Sequence, residues 1–369
     1  MTWTDLHSES ERLAIEAQLE LRNHNAIRAI ELYKRAAKFE QEALEQLDVT
    51  KARTRGVTAV SAVALWFKGG EYVYAERLAH LILADPHIPD FARDDLRNLV
   101  QAIWTESAKR KAGVEFVPGE VMVSVKGGEV VTGGAPLDLI VDKVQTIQSL
   151  FYRTIEFVSG VSHRKSGRPS KELQEACRPW LFQSAPGSYQ FSVAIQKPAQ
   201  LDFFRQDVEP ERIAKHFLEI VSASTGEDHS ELEHLVPDQN YRSTFLKLAR
   251  NLAPTGTTFD RIELRAAGET RPVFLGVEAR GNINQQLRKK QTMLETNEQV
   301  HEVLRGTLRA VHLDKDWLDV MVEGVPMHIE GLQDTVDDVI GPMVNRSVIV
   351  RAIRVSDKKL KFVDIELAD

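Results

Sequence analysis

The sequence predicts a mixed α+β protein in three parts, and two changes of pattern along the chain define them. Up to residue 112, apolar residues recur every three or four positions, with prolines only at Pro86 and Pro89. From Val303 the apolar period is two, which is typical of short strands. We therefore expect a helical domain over 1–112, an α/β domain over 113–301 and a small β-barrel over 302–369.

Composition excludes several classes of protein. The chain has 369 residues, 43% of them hydrophobic, a net charge of −7 and one cysteine. A disulfide-stapled secreted module is excluded, and an apolar fraction near the globular norm argues against disorder. The longest apolar runs, Val60–Phe67 and Leu137–Val141, are too short for a spanning helix, and the acidic start does not look like a signal peptide. We expect a cytoplasmic protein that makes no membrane contact.

The first part reads as consecutive antiparallel helices with short links. Gly69 and Gly70 are expected to end one helix, and Pro86 follows the end of the next. The stretch Arg53–Leu65 is small and apolar nearly all round, so it predicts a helix buried on most faces.

Two segments of this part resemble a tetratricopeptide-like repeat pair. They are Ala29-Ile30-Glu31-Leu32-Tyr33-Lys34-Arg35-Ala36, and Gly70-Glu71-Tyr72-Val73-Tyr74-Ala75 with Asp85-Pro86 after it. Small alanines at these positions let paired helices approach closely. The resemblance implies binding of a protein or peptide and no chemistry. A plain helical bundle is the alternative.

The last part predicts five short strands, with a helical piece at Val336–Val344 before the fourth. This order suits an OB-like barrel, and an SH3-like barrel is the alternative. The part carries 13 Asp/Glu against 9 Lys/Arg, and Trp317 and Phe362 are its expected exposed aromatics. Because single strands are bound by stacking platforms in basic grooves, we expect nucleic acid to be disfavoured here.

The middle part contains glycines in two places where a turn is expected. Lys126-Gly127-Gly128 predicts a hairpin between Glu120–Val125 and Glu129–Val131. Gly133 and Gly134 precede a predicted helix from Leu137 to about Ser159. No Gly-x-x-x-x-Gly-Lys motif is present, so a phosphate loop is not favoured. A small-ligand pocket lined by these two glycines and basic residues is a third hypothesis for function.

The most basic loop of the chain runs from Ser162 to Lys171. Its cations are candidate contacts for an anion or a nucleic acid: Arg164, Lys165, Arg168 and Lys171. A solvated loop without a ligand explains the same residues.

Two other polar features of the middle part carry little functional signal. Cys177 has no evident base nearby, so we expect a buried structural cysteine. His229 and His234 are five residues apart, whereas two metal ligands on one helical turn need a spacing of four. We therefore expect neither a metal nor a cofactor.

The best enzymatic candidate lies between Phe259 and Lys290. Phe259–Leu264 and Pro272–Arg280 are predicted to be paired strands, followed by a helix. This layout resembles the PD-(D/E)XK nuclease core, which implies that Asp260 and Glu278 hold Mg²⁺ and that Arg280 is the active-site cation. Arginine stands where that family has lysine, and arginine does not give up its proton.

Taken together, these patterns favour a non-catalytic adaptor that binds a protein partner through its helical part. The alternative hypothesis is a nucleic-acid-binding or Mg²⁺-dependent nuclease-like protein that uses the central part and the barrel.

Overall fold

The structure is a computed structural model in which the chain forms two compact units. It describes residues 2–117, 119–131, 133–183, 189–197, 212–266, 272–292, 301–332, 336–356 and 359–368. The first unit is Met1–Glu115 with Phe182–Pro186, and the second is Phe116–Leu181 with Gly187–Asp369. Among the described residues, none of the helices combines the length and the hydropathy that crossing a bilayer requires.

The first unit consists of consecutive helices. They are α1 Trp3–Arg22, α2 Ala26–Glu45, α3 Ala52–Lys68, α4 Tyr72–Leu83 and α5 Asp90–Lys111. Thr2 begins α1 with a capping box, because its hydroxyl accepts from the backbone of Asp5 while the Asp5 side chain binds the Thr2 backbone. Gly70, with a φ of 75°, makes the turn into α4.

Small side chains line the contacts between these helices. The alanines with no exposed surface are Ala17, Ala29, Ala36, Ala37, Ala43, Ala59, Ala62, Ala75, Ala79 and Ala92. Helix α3 packs against α2, α4 and α5. At Gly56 a β-carbon would lie 2.8 Å from Cγ of Pro89, so α3 and α5 approach closely there. The predicted buried helix is thus α3, although Val57 remains 51% exposed.

The second unit begins with a five-stranded sheet in the order β2-β3-β1-β4-β5. Its strands are β1 Val121–Lys126, β2 Pro179–Gln183, β3 Tyr189–Ile195, β4 Arg261–Ala266 and β5 Val273–Leu275. The accompanying helices are α6 Leu137–Val158, α7 Lys171–Ala176, α8 Ile213–Thr225, α9 His229–Leu235, α10 Gln239–Leu252 and α11 Val277–Thr292. Val121, Val123 and Val125 face a core that contains Phe151 of α6 stacked on Phe217 of α8.

The second unit ends in a closed five-stranded barrel in the order β10-β8-β7-β6-β9. Its strands are β6 His301–His312, β7 Trp317–Val322, β8 Val325–Glu330, β9 Ser347–Ser356 and β10 Lys359–Leu367. Helix α12, Asp337–Ile340, and a 3₁₀ turn lie between β8 and β9. Strand β10 pairs antiparallel with β9 and parallel with β8, which closes the barrel. The mixed α+β class, the helical first part and the terminal barrel are therefore confirmed.

Three local predictions are wrong. Strand β1 pairs with β3 and β4, and not with a hairpin partner at 129–131. Beyond Leu275 the predicted strand over 272–280 is replaced by Gly276 and the first turn of α11. Phe362, expected to be exposed, is only 8% exposed because it belongs to the main core of the second unit.

Candidate functional site: the barrel face and the basic loop

Two of the nuclease candidates, Glu278 and Arg280, lie on α11, whereas Asp260 precedes β4. Asp260 is exposed just before β4, beside the Gly127 turn, where a side chain at position 127 would collide with the Asp260 carboxylate. Glu278 is exposed in the first turn of α11. Among the described residues there is no group of three or more His, Cys, Asp or Glu side chains placed to hold a metal ion.

Arg280, the proposed active-site cation, binds the barrel. Its guanidinium donates to the Glu366 carboxylate at 3.2 Å and to the Leu367 carbonyl at 3.1 Å. The Arg351 guanidinium donates to the other oxygen of Glu366 at 3.3 Å. Because its charge is held by a buried carboxylate of β10, Arg280 connects α11 to the barrel.

Arg164 of the basic loop is also engaged within the second unit. Its Nε donates to Glu156 at 2.7 Å and its Nη2 to Asp338 at 2.9 Å. Arg153, which has no exposed side-chain surface, donates from Nε to the same Asp338 oxygen at 2.6 Å. Two arginines therefore share one carboxylate of α12, which ties α6 and the basic loop to the barrel.

The neighbouring residues hold this loop in place. The ring of His163 lies edge-on to Tyr241 at 5.0 Å, with Nε2 2.9 Å from the Thr244 hydroxyl. Burial, and then the charge of Arg153, lower the pKa of His163, so the ring is neutral at pH 7. The Lys165 carbonyl accepts from the Asp337 backbone at 3.0 Å.

The remaining cations of the loop face solvent to different degrees. Lys165 Nζ lies 3.6 Å from Asp316, in the turn between β6 and β7, and keeps 41% of its side chain exposed. Arg168 is exposed. Lys171 is 84% exposed and lies 3.7 Å from Glu175 of its own helix, a separation at which an exposed pair contributes little.

Three rings form a cluster beside that turn, which we call the ring cluster. The Trp317 ring centroid is 5.8 Å from that of His312 and 5.3 Å from that of His328. The Lys315 backbone donates to Nδ1 of His312 at 3.2 Å, and Nδ1 of His328 lies 2.6 Å from Asp319. Because each imidazole has a partner at Nδ1, the rings are held in fixed orientations around the indole.

Strand register explains why the cluster forms. His312 pairs with Trp317, and Trp317 pairs with Glu330. Glu330 in turn pairs with Lys361 across the parallel β8–β10 contact. Directly paired residues share a face of a sheet, so these four residues make one row across the barrel. Leu318, the next residue on β7, points inward and has no exposed surface.

Charge around the ring cluster is mixed. Glu330 is paired with Lys359 at 2.9 Å, and Asp319 is occupied by His328. Hydrogen bonding to Lys359, together with its charge, lowers the pKa of Glu330. Lys315 and Lys361 are exposed and have no carboxylate partner within the described part of the chain.

The other candidates have ordinary environments. Cys177 has no exposed surface, and burial raises the pKa of its thiol to about 12, which leaves it protonated and unreactive at neutral pH. Gly133 has open space around its α-carbon, and Gly134 closes a small backbone loop with Val131. The side chain of His229 lies outside the described residues.

The first unit presents a separate surface on α4 and α5, which we call the α4–α5 surface. Trp104 is 46% exposed, and its indole N–H donates to Glu76 at 2.7 Å. Its ring centroid lies 6.4 Å from that of His80, and Val73 is 82% exposed. Val73, Glu76 and His80 are spaced at three and four residues, so they share one side of α4 with Trp104 beside them.

Comparison with known proteins adds no assignment to these sites. The chain matches no family model, no curated protein and no solved structure.

Sequence reasoning missed two members of the ring cluster, His312 and His328. A usable signal was present, because His312 and Trp317 flank a four-residue turn and so fall opposite each other in a hairpin. His328 lies on the third strand of the meander, and its place beside Trp317 depends on the β7–β8 register.

Proposed function

We propose that the protein is a non-catalytic adaptor that binds a protein partner through the α4–α5 surface. The observation that carries the proposal is the placement of Trp104, a half-exposed indole whose N–H is already bonded to Glu76. A tryptophan held in one orientation before binding loses little entropy on association, which is the usual property of an interface anchor. Val73 extends the apolar area along α4.

The helical unit that presents this surface is proposed to be a tetratricopeptide-like repeat pair. Helices α1 and α2 would form one repeat, α3 and α4 the next, and α5 would cap the stack. Support comes from the order of the helices and from alanines with no exposed surface at the contacts between them. Stacked repeats of this kind create extended surfaces that bind peptides and proteins.

We further propose that the barrel is OB-like. Support comes from its strand order, from the parallel pairing of the third and fifth strands, and from the helix between the third and fourth strands. A cytoplasmic location is proposed because the one cysteine is buried and reduced.

The candidate catalytic residues support a non-catalytic role. Arg280 is held by Glu366, and Glu278 stands on a helix rather than on the strand that the nuclease layout needs. Adaptor function needs only the surface of the first unit.

The test compares substitutions at two equivalent positions. Val73 and Ile27 are each the second residue of a helix, and their side chains are 82% and 78% exposed. Aspartate at either position adds the same charge in the first turn, so the two variants have the same local effect on their helices. The full-length tagged protein and both variants are purified from the native host under identical conditions, and co-isolated proteins are quantified by mass spectrometry.

We expect a stoichiometric partner to be recovered with the unmodified chain and with Ile27→Asp, and to be lost with Val73→Asp and with Trp104→Ala. Circular dichroism checks that each variant is folded. Repeated recovery of the protein alone contradicts the proposal, and so does a partner that Val73→Asp retains.

A further inference from the structure

We propose that the ring cluster and the adjoining basic loop bind single-stranded nucleic acid. This is a second binding surface, on the other unit and independent of the α4–α5 surface. It rests on the observation that the outward row of the barrel brings the rings of His312 and Trp317 into line with Lys361, while Lys165 lies at the neighbouring turn.

Stacking is the first contribution. Unpaired bases expose their π-faces, and aromatic side chains bind them with little dependence on sequence. Trp317 is half-buried, so its ring is fixed by its neighbours while part of it remains accessible, and 53% of the His328 side chain is exposed. Bases within a duplex are already stacked on one another, which favours single strands over duplexes on this surface.

Phosphate contact is the second contribution. At 4.7–4.9 Å between strands, the row from β6 to β10 spans roughly 14 Å, with rings at one end and Lys361 at the other. Lys315 and Lys361 are exposed and have no carboxylate partner among the described residues, and Lys165 of the basic loop lies beside Asp316 at the neighbouring turn. Asp314 is the exposed carboxylate nearest in sequence to Lys315 and opposes this contribution in part.

The acidity of the barrel does not argue against an anionic ligand at this face. Four of its acidic residues are bound to cations of the preceding part of the chain: Asp316, Asp338, Asp364 and Glu366. The outward row itself carries one carboxylate, Glu330, and one lysine, Lys361, and Lys315 beside it has no carboxylate partner in the described part of the chain.

The experiment measures fluorescence anisotropy of labelled oligonucleotides titrated with the full-length protein. The probes are an oligothymidylate and an oligouridylate of about twenty nucleotides, with a duplex of equal length as comparison. The variants are Trp317→Ala, Trp317→Phe and Lys361→Glu. Tyr74→Ala removes an exposed ring from α4, and Lys38→Glu makes the same charge change on α2, so these two are matched controls.

We expect the single strands to bind and the duplex to bind at least tenfold more weakly. Trp317→Ala removes the stacking of one base, so it should weaken binding about 5- to 150-fold. Trp317→Phe should restore part of the affinity. With about three phosphate contacts, the logarithm of the binding constant should fall with the logarithm of salt concentration with a slope of about −2. Lys361→Glu should reduce that slope, and the controls should leave both quantities unchanged.

Several results would overturn the proposal. One is the absence of single-strand binding at low salt and at protein concentrations of about 100 µM. Another is equal affinity of Trp317→Ala and the unmodified protein. Equal binding of duplex and single strand would show simple charge attraction, and a loss of affinity in Tyr74→Ala as large as in Trp317→Ala would show that the rings of the barrel are not the site.

Discussion

Removing the carboxylate of Asp364 tests the inference that a buried ion pair joins the barrel to the helices before it. Arg250 of α10 has no exposed surface, and its Nη1 and Nη2 donate to the two Asp364 oxygens at 2.5 and 3.0 Å. Nη2 also donates to the Ile365 carbonyl at 2.6 Å, and Nη1 to Asn284 at 3.0 Å. In Asp364→Ala the guanidinium keeps these last two acceptors but loses its counter-charge.

The expected loss of unfolding free energy in Asp364→Ala follows from the burial of Arg250. Breaking a buried pair by removing one partner leaves an uncompensated charge, which typically destabilises a protein by about 3–5 kcal/mol. Total unfolding free energies are about 5–15 kcal/mol, so the second unit of Asp364→Ala should be near the limit of stability at 25 °C.

The matched control is Glu302→Ala. Glu302 on β6 also accepts two hydrogen bonds from an arginine, Arg354 on β9, at 2.9 and 2.8 Å. Their side chains are 29% and 36% exposed, and exposed pairs contribute about 1 kcal/mol or less. The two variants therefore remove the same chemical group from the same barrel and differ in burial.

Urea denaturation followed by circular dichroism gives the overall stability, but two units can unfold in separate transitions. Hydrogen exchange read by mass spectrometry on peptides from β9 and β10 isolates the barrel, since its amides exchange through opening of the second unit. We expect these peptides to lose protection in Asp364→Ala and to keep most of it in Glu302→Ala. A difference below about 1 kcal/mol between the variants would refute the reasoning.

A loss of stability in Asp364→Ala has two explanations, the unpaired buried charge of Arg250 or the broken hydrogen-bond geometry. The double variant Arg250→Met with Asp364→Leu separates them. Replacing both members of a buried pair by apolar residues of similar volume is often neutral. We expect it to recover most of the stability lost in Asp364→Ala. Failure to recover would show that the geometry of the hydrogen bonds, rather than the unpaired charge, is what the site requires.

Four further outcomes are expected. Burial alone would raise the pKa of Asp364, but the charge and hydrogen bonds of Arg250, the charge of Lys247 and a backbone hydrogen bond from Ile365 together outweigh burial and lower the pKa. The stability contributed by this carboxylate is therefore present above its unfolded pKa of about 3.9 and is lost as the pH falls through the lower folded value, so Asp364→Ala should converge with the unmodified protein in acid unfolding. Gly128→Ala should destabilise the second unit by more than 1 kcal/mol in urea titrations, because φ is +60° and the new methyl group would collide with the Thr258 carbonyl. Cys177 should resist alkylation at pH 8 in the folded protein and react on unfolding in urea. Asp238→Ala should cost about 1 kcal/mol in thermal unfolding, because its carboxylate accepts from the backbone of Asn240 at the start of α10.

Sequence reasoning succeeded where structure is local. The helical period over 1–112 and the alternation from residue 303 identified the helices and the barrel strands, because each pattern repeats within one element. It failed at Lys126-Gly127-Gly128, where a hairpin signal gives a turn without a hairpin. The Gly128 turn packs on Thr258, more than a hundred residues away, and Glu129 donates its backbone N–H to the Thr258 carbonyl.

The charged residues show the same limit more clearly. The sequence makes Arg164 a candidate anion contact and Arg280 a candidate active-site cation, but the structure pairs them with Asp338 and Glu366, far along the chain, and Arg164 also with the nearer Glu156. Local sequence gives the residue types and the spacing, whereas the identity of a buried partner depends on which elements pack together. Trp317 is an expected exposed aromatic, and its neighbour His312 follows from the turn between them, but the place of His328 beside it depends on the β7–β8 register.

These ion pairs change how the net charge of the barrel is interpreted. Counted along the sequence, the acidic excess of 302–369 argues for a separate acidic domain that repels nucleic acid. In the folded chain, Asp338, Asp364 and Glu366 are bound by arginines of α6, α10 and α11 together with Arg164 of the basic loop. Isolated from those arginines, the barrel would keep Arg351 beside Glu366 but would lose the counter-charges of Asp338 and Asp364, so part of its acidity reflects attachment to the central part. The charge that a ligand meets is that of the outward row and the adjoining turn, where Lys361 and Lys315 have no carboxylate partner within the described ranges.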